Sequence, residues 1–333
     1  FVYKTPAFLC DVGTKCSGRH WESRCTEDCE EAVRREAIVD QAERLRNIIK
    51  KQELPPVQKP VAKVITVTSG KGGVGKSSLS VNLAIQLSRM GKRVVIFDAD
   101  FGLANIEIML GLHPRYNLAD MMYRGKTLND IITYGPENVG FISGGSGIQE
   151  LANLSREQVV TLIQKLNELD EFADVVIVDT GAGISDTVLE FVAASEEVLL
   201  VATPEPTSIT DAYALLKTLN KKATYRKEKT VVKMIANQVH GNRDAKELFE
   251  KLGMVVAKFL DIEVEYLGSV PYDHNMQKAI MKQTPISILD SSCNTARAVN
   301  QIANTLEHNM EKESEHVGIV KLFSSVIRMR FMK

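Results

Sequence analysis

An apolar, β-branched run, 62-AKVITVTS-69, passes without a break into 70-GKGGVGKS-77 and then into a segment of helical pattern over 77 to 90. That junction constrains the fold more than any other part of the chain. Short β-branched runs read as buried strands. Glycines at 70, 72, 73 and 75 let the backbone turn tightly and approach a ligand closely. A strand that ends in such a turn and opens a helix aims backbone N–H groups and the helix N-terminus at one point, which suits a phosphate. The spacing of Gly70, Gly75, Lys76 and Ser77 completes a phosphate-binding loop, in which Lys76 is expected to meet the β and γ phosphates and the Ser77 hydroxyl to bind magnesium. Gly72, Gly73, Val74 and Ser78 complete the stretch expected to wrap the nucleotide. The competing reading is a glycine-rich turn that only caps a helix.

The strand-then-helix order repeats. Strands are expected at 93-RVVIFDAD-100, 174-DVVIVDT-180, 197-EVLLVAT-203, 230-TVVKMIAN-237 and 265-EYLGSVP-271, separated by helices near 155 to 169, 207 to 220, 243 to 258 and 294 to 311. This alternation predicts an α/β fold, a mostly parallel twisted sheet covered by helices on both faces. The 333 residues are enough for one large or two medium domains. The main domain is expected over 61–311, with a C-terminal amphipathic segment over 312–333. Residues 31–53 read as an appended amphipathic helix, with Ile38, Ala42, Leu45 and Ile49 along one side. Residues 54–60, LPPVQKP, read as a linker, because proline cannot continue a helix.

Charge and cysteine usage narrow the partners. A formal net charge of -1 gives no global field for nucleic acid, so an anionic partner must meet a local patch. No apolar run approaches the roughly 18 to 20 residues that cross a bilayer, and no secretory signal is apparent, so a cytoplasmic chain is expected. Cys10, Cys16, Cys25 and Cys29 crowd the first 30 residues, with gaps of five, eight and three that match no zinc-ribbon or ferredoxin spacing. Residues 1–30 therefore read as a disordered or adventitious extension, with metal binding as the alternative.

Lys71 is one lysine more than the loop needs. A lysine directly after the first glycine resembles the deviant phosphate loop of the MinD/ParA ATPases, and the resemblance extends over residues 61 to about 310. It implies an ATP-dependent homodimer in which Lys71 crosses the interface to the partner's nucleotide. The segment 98-DADFGLAN-105 resembles the family's first switch, with Asp100 positioning the attacking water and Asp98 assisting around magnesium. The segment 179-DTGAG-183 resembles the second switch, with Asp179 reaching magnesium through water and Gly181 standing where many relatives have proline. Asn237, Pro271 and Asp273 match positions that contact adenine, although Asn237 equally reads as the cap of a turn. Lys71, Lys76 and Asp100 are thus the expected catalytic residues, acting by position and charge, with ATP and magnesium as cofactors.

Three further segments bear on the branch of that family, and the first two resemble the flagellar number regulators, the FlhG, YlxH or FleN branch. The first is 202-ATPEPTSITDAYALLK-217, where Asp211 matches a dimer and partner surface. The second is 40-DQAERLR-46, which resembles the segment that activates the signal-recognition-type GTPase FlhF; Gln41 beside the apolar stripe could carry its amide to that partner's attacking water. A solvated amphipathic helix is the other reading. The third is 316-HVGIVKLFSSVIRMRFMK-333, where Ile319, Val320, Phe323, Val326 and Ile327 share one side and Lys321, Ser324, Ser325 and Arg328 lie opposite. That layout suits an interfacial helix on an anionic membrane or, alternatively, a helix folded onto the core.

The resemblance implies a switch ATPase that controls flagellar number and placement, peripheral to the inner face of the membrane. Its expected partners are a second copy, an FlhF-type GTPase, and flagellar C-ring proteins or a flagellar transcription regulator; no specific nucleic acid is expected. The rivals are a MinD-type division-site regulator, a ParA-type DNA partitioner and an iron-sulfur carrier. The partitioner needs a basic surface, and the carrier needs a late paired-cysteine motif where Cys293 stands alone.

Overall fold

The computed structural model describes residues 61–100, 105–145, 155–222, 225, 229–312 and 318–331. The chain separates into two units, 1–58 and 59–333. The first unit, with the expected 31–53 helix, Gln41 and the four early cysteines, lies outside the described residues.

Within the second unit a sheet of eight strands is formed by β1 (Lys63–Ser69), β2 (Val94–Ala99), β3 (Thr133–Tyr134), β4 (Gly140–Ser143), β5 (Val175–Ala182), β6 (Glu197–Ala202), β7 (Val231–Val239) and β8 (Val264–Pro271). Their order is β3-β4-β2-β5-β1-β6-β7-β8, and every pair is parallel except β3 with β4. The six strands expected from apolar runs are all present. The antiparallel β3–β4 edge was not expected: β3 is two residues long and gives no periodic signal.

The longer helices are α1 (Lys76–Arg89), α2 (Arg156–Asn167), α3 (Asp186–Ala194), α4 (Pro206–Lys221), α5 (Asn242–Phe259), α6 (His274–Met281), α7 (Asn294–Lys312) and α8 (Ile319–Phe331). Local chemistry sets several of their starts. Ser155 and Gln158 exchange side-chain bonds with each other's backbone N–H and cap α2. Pro206 occupies the first turn of α4, where its missing N–H costs nothing. Helix α3 escaped the sequence reading because its run Val188–Ala193 is buried throughout and so lacks an amphipathic period.

The helices divide between the two faces of the sheet. One face is packed by α1 and α7, through Leu79, Leu83, Leu87, Val299, Ile302 and Leu306 against Ile65, Val67 and Ile96. The other is covered by α2, α3 and α8 over β2 and β5, and by α4 and α5 over β6 and β7. Enclosure on both faces explains why the central strands are continuously apolar.

The C-terminal helix has the amphipathic layout read from the sequence, but its apolar side is occupied by the protein core. Ile319, Leu322, Phe323, Val326 and Ile327 are all buried, while Lys321 and Arg328 are exposed. Phe323 meets Phe97 of β2 edge-on at 5.2 Å between ring centroids and Phe191 of α3 at 5.7 Å. Of the two readings of this segment, the core-docked helix describes this structure. An amphipathic pattern specifies an apolar contact and does not specify whether lipid or protein supplies it. No helix among the described residues is long and apolar enough to cross a membrane.

Candidate functional site

The site lies at the carboxyl ends of β1, β5 and β2, where the order of the sheet reverses direction and ligands bind in open α/β folds. The loop from β1 to α1 needs its glycines for two separate reasons. Gly73 and Gly75 have φ of 79° and 87°, left-handed values that a side chain disfavours. Gly70 makes room instead: a Cβ there would stand 2.2 Å from the backbone carbonyl carbon of Asp211, so α4 rests directly on the start of the loop. The far side of the loop is held by Asn237, whose Nδ2 donates to the Val74 carbonyl at 2.7 Å. No side chain caps the N-terminus of α1, where the helix begins at Gly75.

Lys76, Ser77 and Asp179 are brought together in direct contact. Lys76 Nζ donates to Asp179 Oδ2 at 3.0 Å and Ser77 Oγ donates to the same oxygen at 2.7 Å. Asp98 is the register partner of Asp179 on the adjacent strand. Burial, with the neighbouring Asp179 and Asp100 carboxylates, pushes Asp98 up to about 8, against the pull of the Asp100 backbone N–H on its Oδ1 and of Lys76. Asp100 lies at the mouth of the site beside the second switch, its Oδ1 3.1 Å from where a Cβ on Gly181 would stand. Gly181 therefore leaves the space that Asp100 occupies.

A hydroxyl and carboxylates at this spacing are hard oxygen donors, and the chemistry of Ser77, Asp98 and Asp179 fits magnesium. Magnesium, when bound, neutralises charge on the phosphates of a nucleotide. Around that position the chain supplies the loop between β1 and α1 and the Lys76 ammonium, which lies 3.0 Å from Asp179.

Lys71 does not join this group. Its Nζ donates to Glu205 Oε2 at 2.6 Å and to Thr207 Oγ1 at 3.0 Å, both at the start of α4. Asn237, Pro271 and Asp273, the residues expected to contact the base, line a cavity of about 170 Å³ beside the loop together with Gly75, Tyr272 and Met276. Asp273 also caps α6 through the Asn275 N–H at 2.8 Å and faces the Thr295 hydroxyl at 3.4 Å.

Sequence reading missed three residues here. Ser80 donates to Asp179 Oδ1 at 2.7 Å. Its only sequence signal is a position one turn after Lys76 on the same side of α1. Glu205 and Thr207 hold Lys71, and nothing in sequence spacing links residues more than 130 positions apart.

Comparison with known proteins bears on the family and the fold. The family model described as "ParA: NUBPL iron-transfer P-loop NTPase" matches residues 60–307. The antiactivator FleN of Pseudomonas aeruginosa is 45% identical over 223 residues, covering 67% of this chain and 78% of FleN. The flagellum site-determining protein YlxH of Helicobacter pylori is 32% identical over 304 residues, covering 87% of this chain and 98% of YlxH. Among solved structures, the septum site-determining protein MinD of Pyrococcus horikoshii, complexed with Mg-ADP, superposes with a TM-score of 0.58 at 23% identity, covering 76% of this chain and 100% of that one. At that identity the likeness concerns the fold. The phosphate-loop motif, the family model and the relatives together place the chain in the MinD/ParA family of P-loop ATPases, in the FlhG branch to which FleN and YlxH belong.

Proposed function

We propose that this protein is an ATP-hydrolysing, dimerising switch that controls flagellar number and placement. The observation that carries the reading is the division of labour between the two loop lysines. Lys76 faces Asp179 inside its own site, whereas Lys71 is parked on Glu205 at the surface. A lysine held away from its own site can serve a neighbour's nucleotide. Its release is cheap, because a partly exposed ion pair contributes roughly 0 to 1 kcal/mol. In the dimer Lys71 reaches the partner's phosphates, Lys76 serves its own subunit, and Asp100 orients the attacking water.

Membrane binding, on this reading, requires α8 to leave the core, since the side that lipid would take is buried under β2 and α3. Two helices per dimer bind a surface far better than one through effective concentration, so the ATP dimer is the membrane-bound form. Gln41 on the 31–53 segment stimulates an FlhF-type GTPase by adding an amide near its attacking water.

Pull-down against FlhF, flagellar C-ring proteins and division inhibitors, with and without ATP, separates the flagellar reading from a division-site role. ATP-dependent capture of the flagellar partners supports the proposal, and capture of a division inhibitor alone refutes it. A peptide of residues 31–53 should accelerate GTP hydrolysis by FlhF, and Gln41→Ala should abolish the effect; an unchanged rate with the variant removes Gln41 from the mechanism.

A further inference from the structure

Three donors meet the two oxygens of Asp179, and they are not equivalent. Lys76 at 3.0 Å and Ser77 at 2.7 Å both hold Oδ2. Both open the helix at the phosphate loop, and both have other duties once a nucleotide enters, the lysine toward phosphate and the hydroxyl toward the metal. Ser80 holds the other oxygen, Oδ1, at 2.7 Å. It stands one turn into α1, wholly buried, between Leu79 and Val81, which are locked into the core. Its hydroxyl also lies 3.2 Å from the Lys76 carbonyl, but the Asp179 oxygen at 2.7 Å is the nearer acceptor and takes the proton's direction.

We infer that Ser80 is a positioning residue that pins Asp179 Oδ1 while Oδ2 changes partners. The inference rests on reading the cleft as a magnesium-nucleotide site. The terminal torsion of an aspartate is soft and roughly two-fold, so a carboxylate that loses Lys76 and Ser77 is free to turn unless something else holds it. Ser80 is the donor that does not have to move. Its hydroxyl keeps Oδ2 aimed at the loop throughout the exchange, the kind of support from behind a ligand that typically changes metal affinity by 10- to 100-fold.

The test is a titration of the full-length chain with a fluorescent ADP, first in EDTA and then with increasing magnesium. In Ser80→Ala the affinity in EDTA should stay within about twofold of wild type, while the magnesium concentration at half-effect rises about tenfold. In an Asp179→Asn background the same substitution should add nothing. A magnesium requirement unchanged by Ser80→Ala overturns the inference. So does an equal loss of affinity with and without magnesium, which marks a purely structural role, or an undiminished further loss in the Asp179→Asn background. Absence of any magnesium effect in the wild-type chain overturns the site reading itself, which keeps the two failures distinct.

Discussion

Lys71 Nζ lies 2.6 Å from Glu205 Oε2, so the lysine that sets this loop apart is tied within its own chain to the residue that opens α4. A lysine in that contact is unavailable to a second subunit. Glu205→Gln removes the charge and leaves a side chain of the same size. The variant should dimerise with ATP at up to about 30-fold lower protein concentration, because each dimer frees two such pairs and an exposed pair contributes at most roughly 1 kcal/mol. Sedimentation velocity across a concentration series measures this. Weaker dimerisation would mean that Glu205 contributes more to the interface than to holding Lys71.

Gly181 lies where a Cβ would come within 3.1 Å of Asp100 Oδ1. Gly181→Ala is compatible with the local backbone, which is not left-handed at this position, so its effect falls on Asp100. If Asp100 orients the attacking water as proposed, displacing its carboxylate by a few tenths of an ångström should slow turnover by about three- to tenfold, given that 1 Å can cost about 100-fold. Steady-state ATPase assays should find kcat reduced and nucleotide affinity unchanged.

Phe323 joins α8 to the core between Phe97 and Phe191. Replacing a fully buried phenylalanine with alanine should lower stability by about 3 to 5 kcal/mol. Urea unfolding of the nucleotide-free chain reads it. A loss below about 1 kcal/mol would show that α8 is not docked in solution as it is here.

Asp98 makes the nucleotide-free fold sensitive to pH. Its folded pKa of about 8 lies well above the ordinary carboxylate range, so the folded chain holds a proton there that the unfolded chain has released. Stability from this group is therefore greatest at low pH and falls as pH rises from the ordinary carboxylate range towards 8. Asp98→Asn should flatten that fall in denaturation curves measured between pH 5 and about pH 8.5 without metal.

Most of this architecture could be read from the sequence. The central strands announce themselves because burial on both faces leaves little room for polar residues, and the Gly70-to-Ser77 spacing fixes which strand end carries the phosphates. Asp179 was legible for the same reason, as a charge at the end of the run 175-VVIV-178. What stayed hidden depends on contacts between distant segments. Ser80 is an ordinary helix residue until Asp179 is placed beside it, and Glu205 an ordinary loop acid until Lys71 turns toward it. The apolar stripe of α8 was visible, yet only packing reveals that Phe97 and Phe191 cover it. The β3–β4 edge was lost because its strands are two and four residues long.

If nucleotide state sets subunit state through Lys71, the mass of the particle in solution must follow the nucleotide. Light scattering of the full-length chain with magnesium and either ADP or a slowly hydrolysed ATP analogue tests it most directly, alongside Lys71→Ala. The expected mass doubles with the ATP analogue, remains that of a single chain with ADP, and does not double in the variant. A mass independent of nucleotide, or a Lys71→Ala protein that dimerises as readily as wild type, would contradict it.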